Sequence, residues 1–145
     1  MPHTKLFKIL IFSLFTTSIF SIAAGEILMD TLPSILQDYI AQVELEYYSS
    51  EFSIFDLIAI IIGVYFLAVL IGMWKFKNWA RYSYLILAIV SLSYYFMDGP
   101  VVMNSTEAMF SDFSCMIDGI LIYMMYMTPL SEKFKVKINK NDEMQ

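Results

Sequence analysis

Asp56, Asp98 and Asp118 each fall inside or at the margin of a long apolar run. An ionised Asp at a bilayer centre costs on the order of 2.5–3.5 kcal/mol on insertion scales, so an acid in such a place has a reason to be there. The three belong to three different runs, and together they could form a cation or proton site near one rim of a helix bundle. Tyr84, Ala88, Ser91, Tyr95 and Asp98 recur at helical spacing and would give one run a polar stripe lining that site. Cys115, Asp118, Ile122 and Tyr126 share a face of the last run in the same way. The plainer reading is structural: the acids mark helix ends, and Asp118 hydrogen-bonds a Tyr or Ser of the preceding run, because polar side chains also hold transmembrane helices together.

Other chemistry has little material to work with. One cysteine, Cys115, and one histidine, His3, cannot make a disulfide within the chain or supply a zinc ligand set. There is no Gly-rich phosphate loop and no paired nucleophile and base, so neither a cofactor nor catalysis is expected. The methionines between Met103 and Met127 are irregularly spaced, as gap-filling side chains are. Asn104-Ser105-Thr106 reads as an N-glycosylation sequon. The small pairs Ala59/Gly63 and Ala68/Gly72 lie four residues apart in one apolar run, the spacing that lets helix backbones approach closely in lipid.

The elements that must position these residues are apolar helices. The chain has 145 residues, 59% hydrophobic and 17% aromatic, which a soluble domain this small could not cover with polar surface. The nine Lys and Arg residues segregate. Lys5 and Lys8 precede the first run, Lys75, Lys77 and Arg81 lie between the second and third, and Lys133, Lys135, Lys137 and Lys140 follow the fourth. The segments 25–53 and 98–112 contain no base and carry most of the acids. This is the positive-inside pattern. It predicts that 25–53 and 98–112 face outward and that the C-terminus is cytoplasmic. The bases serve topology here, which argues against nucleic-acid binding.

The first run, Ile9–Ile22, follows a basic stretch and ends in Ala23-Ala24-Gly25, as a secretory signal peptide does; a first membrane span is the competing reading. The second run, Ile54–Trp74, is the strongest span. The third, Tyr82–Met97, ends at Asp98-Gly99-Pro100, and the short link Lys75–Ala80 makes the two an antiparallel hairpin. Gly119–Leu130 is only about 18 Å long as a helix, so the last span should begin near Phe113 and take in Asp118. Between Asp30 and Tyr48 apolar residues recur at three- and four-residue spacing, predicting an outer amphipathic helix capped by Asp30 or Thr31.

Trp74-Lys75-Phe76-Lys77-Asn78-Trp79-Ala80-Arg81 and Tyr126-Met127-Thr128-Pro129-Leu130-Ser131-Glu132-Lys133-Phe134 resemble elements of small bacterial inner-membrane proteins of unassigned function. In those proteins a Trp-Ala-Arg element opens a helix and an aromatic-Ser-Pro element closes the last span; here Thr128 replaces the Ser. The resemblance covers these two stretches and implies a bacterial inner-membrane location with no transferable activity.

The expected organisation is an all-α membrane fold. Residues 1–24 form a signal peptide or extra span, 25–53 an outer segment, 54–131 a three-span bundle and 132–145 a cytoplasmic polar tail. Its partners are the lipid bilayer and either another membrane protein or further copies of itself. Contact in an accessory, stabilising or immunity-type role is the expected function, with a small oligomeric transporter or ion conductor as the alternative.

Overall fold

The computed structural model describes residues 2–49, 54–94 and 101–135, and these are helical with no strand. The helices are α1 (Pro2–Ile27), α2 (Ser34–Ser49), α3 (Ile54–Trp74), α4 (Asn78–Tyr94) and α5 (Ser105–Met127), with 3-10 turns at Met29–Thr31 and Pro129–Phe134. Among the described residues three stretches are long and apolar enough to cross a membrane: His3–Ile27, Asp56–Trp74 and Ser105–Met127.

α3 coincides with the strongest apolar run, and its end shows how a hairpin is made without glycine at the usual position. The Lys77 N–H donates to the Gly72 carbonyl (2.9 Å) and the Phe76 N–H to the Met73 carbonyl (3.0 Å). This pair of bonds closes a helix when the residue between adopts a left-handed conformation. Phe76 does so, at φ 53°. A non-Gly residue there costs roughly 1–2 kcal/mol. The ring offsets that cost by joining a three-ring cluster: its centroid lies 5.7 Å from Phe7 and 5.3 Å from Phe134, and Phe7 and Phe134 are 5.9 Å apart. Those separations are in the favourable range for aromatic pairs.

The turn returns α4 along α3. Tyr65 donates to Ser83 (2.7 Å), and Phe66 stacks on Tyr84 with centroids 6.5 Å apart. Gly72 sits at the closest approach: a Cβ there would lie 2.7 Å from the Ala80 Cβ and 2.9 Å from Trp79 Cζ2. Only hydrogen fits.

α1 packs antiparallel along α5, the first helix against the last. The Asn104 amide donates to the Ala24 carbonyl (2.8 Å), Ser21 to the Glu107 carbonyl (3.2 Å), Ser114 to Thr17 (2.8 Å), and Lys133 to Thr4 (2.7 Å). Phe20 and Phe110 stack between them at 5.6 Å. The serines and threonines of the first apolar run thus face a partner helix or bond back to their own backbone, as Thr16, Thr17 and Ser18 do.

α5 starts earlier than the length argument predicts. The expected start was near Phe113, but the helix begins at Ser105 because Asn104 caps it. The Asn104 side chain accepts from the Thr106 and Glu107 N–H groups, while Glu107 accepts from the Asn104 N–H at 3.4 Å, a reciprocal capping box. At the other end Pro129 imposes extended backbone on Thr128 (ψ 165°) and stops the helix at Met127, so Pro129 opens a 3-10 turn rather than lying in the last turn of the helix. α2 also differs in its start. It begins at Ser34 after Pro33, not at Asp30, and Gln37 Nε2 ties its first turn to the Leu32 carbonyl (2.7 Å).

The buried core lies at one end. It comprises Phe7, Ile11 and Leu14 of α1, Val69, Leu70 and Met73 of α3, Ala80 and Tyr84 of α4, Ile117, Leu121, Met124 and Met125 of α5, and Leu130 and Phe134 beyond it. All are on the half of their helices that adjoins the lysines, here termed the basic end. Around it, Lys8 lies over Trp74 (4.8 Å) and Lys133 over Phe76 (5.5 Å), while Trp74 and Trp79 stay exposed, as interfacial tryptophans do.

Candidate functional site: a cleft between α3, α4 and α5

Toward the acidic end the packing opens. From Leu57 to Tyr65 every residue of α3 is exposed, although the segment is almost wholly apolar. One face of it, Ile58, Ala59, Ile62, Gly63 and Phe66, forms a wall of a cleft of about 670 Å³. α4 supplies the second wall through Tyr84, Leu87, Ala88, Val90 and Ser91, and α5 contributes Asp118. The volume is within the range of ligand-sized cavities.

Among the described residues Asp118 is the acid lining this cleft, and it is held by its neighbour. The Tyr84 hydroxyl donates a hydrogen bond to Asp118 Oδ1, from α4 to α5. Nearer the basic end the Tyr126 hydroxyl donates to the Arg81 carbonyl (3.1 Å), and the Arg81 guanidinium lies over the Tyr126 ring (5.5 Å). Among the described residues these two bonds are the polar links between α4 and α5. They come from the two faces named by spacing: Tyr84, Ala88 and Ser91 line the cleft, and Asp118 and Tyr126 reach α4. Cys115 of the same series is exposed, and Ile122 packs against the core.

Because α5 is longer than expected, Asp118 is nearer mid-helix than rim. It lies about 13 Å from the Met127 end at the standard rise of about 1.5 Å per residue. Asp56 is half-buried in the first turn of α3 and is not part of the cleft wall. Asp98 and Tyr95 lie outside the described residues. What the structure assembles is therefore an Asp118–Tyr84 pair in an apolar cleft. Among the described residues no group of His, Cys, Asp and Glu has the geometry to hold a metal ion.

The two small-residue pairs separate by role. Gly72 is the contact point of the α3–α4 hairpin, with Ala68 exposed beside it. A Cβ on Gly63 would meet nothing within 4 Å, so Gly63 and Ala59 leave a smooth wall facing open space.

Asn104 was missed as a structural residue. It is only 3% exposed, and its amide nitrogen is engaged by Ala24, so the sequon is closed to glycosylation in this structure. The signal was present as Asn104 followed three residues later by Glu107, ahead of an apolar run. Comparison with protein-family models, with curated proteins and with solved structures finds no match to this chain.

Proposed function

We propose that this chain is a small multi-pass protein of the bacterial inner membrane that works by helix–helix contact with another membrane protein, in an accessory, stabilising or immunity-type capacity and without catalysis. The observation that carries the reading is the cleft. Lipid tails cover the Ile and Val side chains of α3 well, but they offer nothing to a carboxylate held among them by one hydroxyl. The exposed Ile35, Tyr39 and Val43 stripe of α2 supplies a second apolar face at the acidic end.

In this reading α1 is retained as a span rather than removed as a signal peptide. Its support is the polar seam with α5, in which Ala24 is buried and capped by Asn104. The basic end faces the cytoplasm, α2 lies outside, and α4 completes a four-span bundle. The intact mass of protein extracted from membranes tests α1: a species lacking residues 1–24 removes that part of the reading.

Photo-crosslinking in native membranes tests the contact. A photoreactive residue at Ile62, inside the cleft, should capture a defined protein that one at Phe12, exposed on α1, does not. Identical capture from both sites, or none, sinks it. The mid-helix position of Asp118 also supports a second reading as a small oligomeric ion or proton conductor. Flux in liposomes that Asp118→Asn abolishes would establish that reading, and wild-type vesicles that stay tight would retire it.

A further inference from the structure

We infer that the cleft receives a transmembrane helix of a different protein, one carrying a Lys or Arg near its middle that pairs with Asp118. This rests on the contact reading and specifies the chemistry of the partner. The cleft runs along α3 from Ile58 to Phe66, about 12 Å or two helical turns, so it accepts a length of helix rather than one side chain. Ala59 and Gly63 face it with no bulk, and the open space beyond Gly63 lets a second backbone come close.

Charge selects the occupant. An ionised Asp has about four acceptor sites, and Tyr84 fills one. Among the described residues no Lys or Arg lies within ion-pair distance of Asp118. In hydrocarbon, acids pair with bases or with the backbone, so the complement of this site is a cation at the same depth. A second copy of this chain does not bring one at that depth, because its described bases lie in the turns at the basic end or within the first two turns of α1 and α4, and Lys137 and Lys140 follow the last span in sequence. The partner is therefore another chain with a mid-span base.

The test uses full-length protein in phosphatidylcholine vesicles, labelled at a cysteine added after Gln145 in a Cys115→Ser background. Two synthetic Leu/Ala transmembrane peptides, one with a central Lys and one with Leu there, carry the acceptor dye. Energy transfer to the Lys peptide should saturate at a concentration about tenfold lower than for the Leu peptide, the size of an interhelical polar contact. Asp118→Asn should erase that difference. Gly63→Leu, which projects into the open cleft, should remove saturable transfer without lowering the unfolding midpoint. Equal affinity of both peptides for wild type overturns the ionic pairing and leaves helix contact standing; no saturable transfer from either removes the contact reading too. Asp118-dependent binding of dodecylamine in place of the Lys peptide would make the occupant a lipophilic amine. Transfer between labelled copies of the protein that Gly63→Leu suppresses would make it a second copy, and either result overturns the proposal.

Discussion

At the basic end, Phe7, Phe76 and Phe134 close on one another and seal four helices and a 3-10 turn into a packed core. Toward the acidic end, every residue of α3 from Leu57 to Tyr65 is exposed, and the bond from Tyr84 to Asp118 lies at the border between the two regions. The residue types of the two halves of α3 are almost the same. What differs is geometry: the α3–α4 turn, the left-handed Phe76 and the 3-10 turn opened by Pro129 fold aromatic rings back over the basic end, and among the described residues no comparable ring cluster lies over the other. Hydrophobicity alone therefore does not decide which half is core. One half is packed within the chain, and in the other the wall of α3 is left exposed.

The strongest way to break this contrast is to cut the cluster. Phe134→Ala should lower stability by about 3–5 kcal/mol, read as a shift in the unfolding midpoint on titrating SDS into mixed micelles. Leu57→Ala, in the open half of α3, should move the same midpoint by less than about 0.5 kcal/mol. Equal losses would erase the distinction.

Next come the two glycines of α3. Gly72→Ala must push its Cβ into Ala80 and Trp79, and should cost about 1–3 kcal/mol. Gly63→Ala meets no atom and should be neutral or stabilise by up to about 1 kcal/mol, through helix propensity. A destabilised Gly63→Ala would mean that the cleft is closed in the membrane.

The polar contacts should give smaller effects. Asn104→Ala loses the cap of α5 and the bond to Ala24, about 1 kcal/mol, with faster hydrogen exchange at the Thr106 and Glu107 amides as its local signature. Of these two contacts Tyr84→Phe should cost less, about 0.6 kcal/mol and no more than about 1.7, as is typical of hydrogen bonds between transmembrane helices. A larger loss would show that the Asp118–Tyr84 pair holds the fold together rather than awaiting a third group.

Helix content was readable because long apolar runs leave few alternatives. Ile54–Trp74 emerged with the limits its composition gives, and the brief basic link after it required a hairpin. The bond between Asp118 and a tyrosine of the preceding helix was also readable, since a buried acid needs a donor and Tyr84 shares its helix face with Ala88 and Ser91. The start of α5 was not. Length reasoning counts apolar residues, and Glu107 and Asp112 stop that count, whereas a capping box makes an acid an asset at a helix N-terminus. The pairing of α1 with α5 was hidden for a different reason. Its serines and threonines make the run look like a weak span, and only the facing helix reveals that they form a seam.

That seam has a consequence in time. Tyr65 and Ser83 are 18 residues apart, so the α3–α4 hairpin can form soon after both are made. Ser21 and Glu107 are separated by 86, and at typical synthesis rates of about 5–20 residues per second α1 spends roughly 4–17 s without its partner. Throughout that interval the Ala23-Ala24-Gly25 segment is uncovered, and it is shielded once Asn104 arrives. Slowing translation between α3 and α5 should lengthen that interval, read as longer protease accessibility of residues 23–25 in ribosome-bound chains.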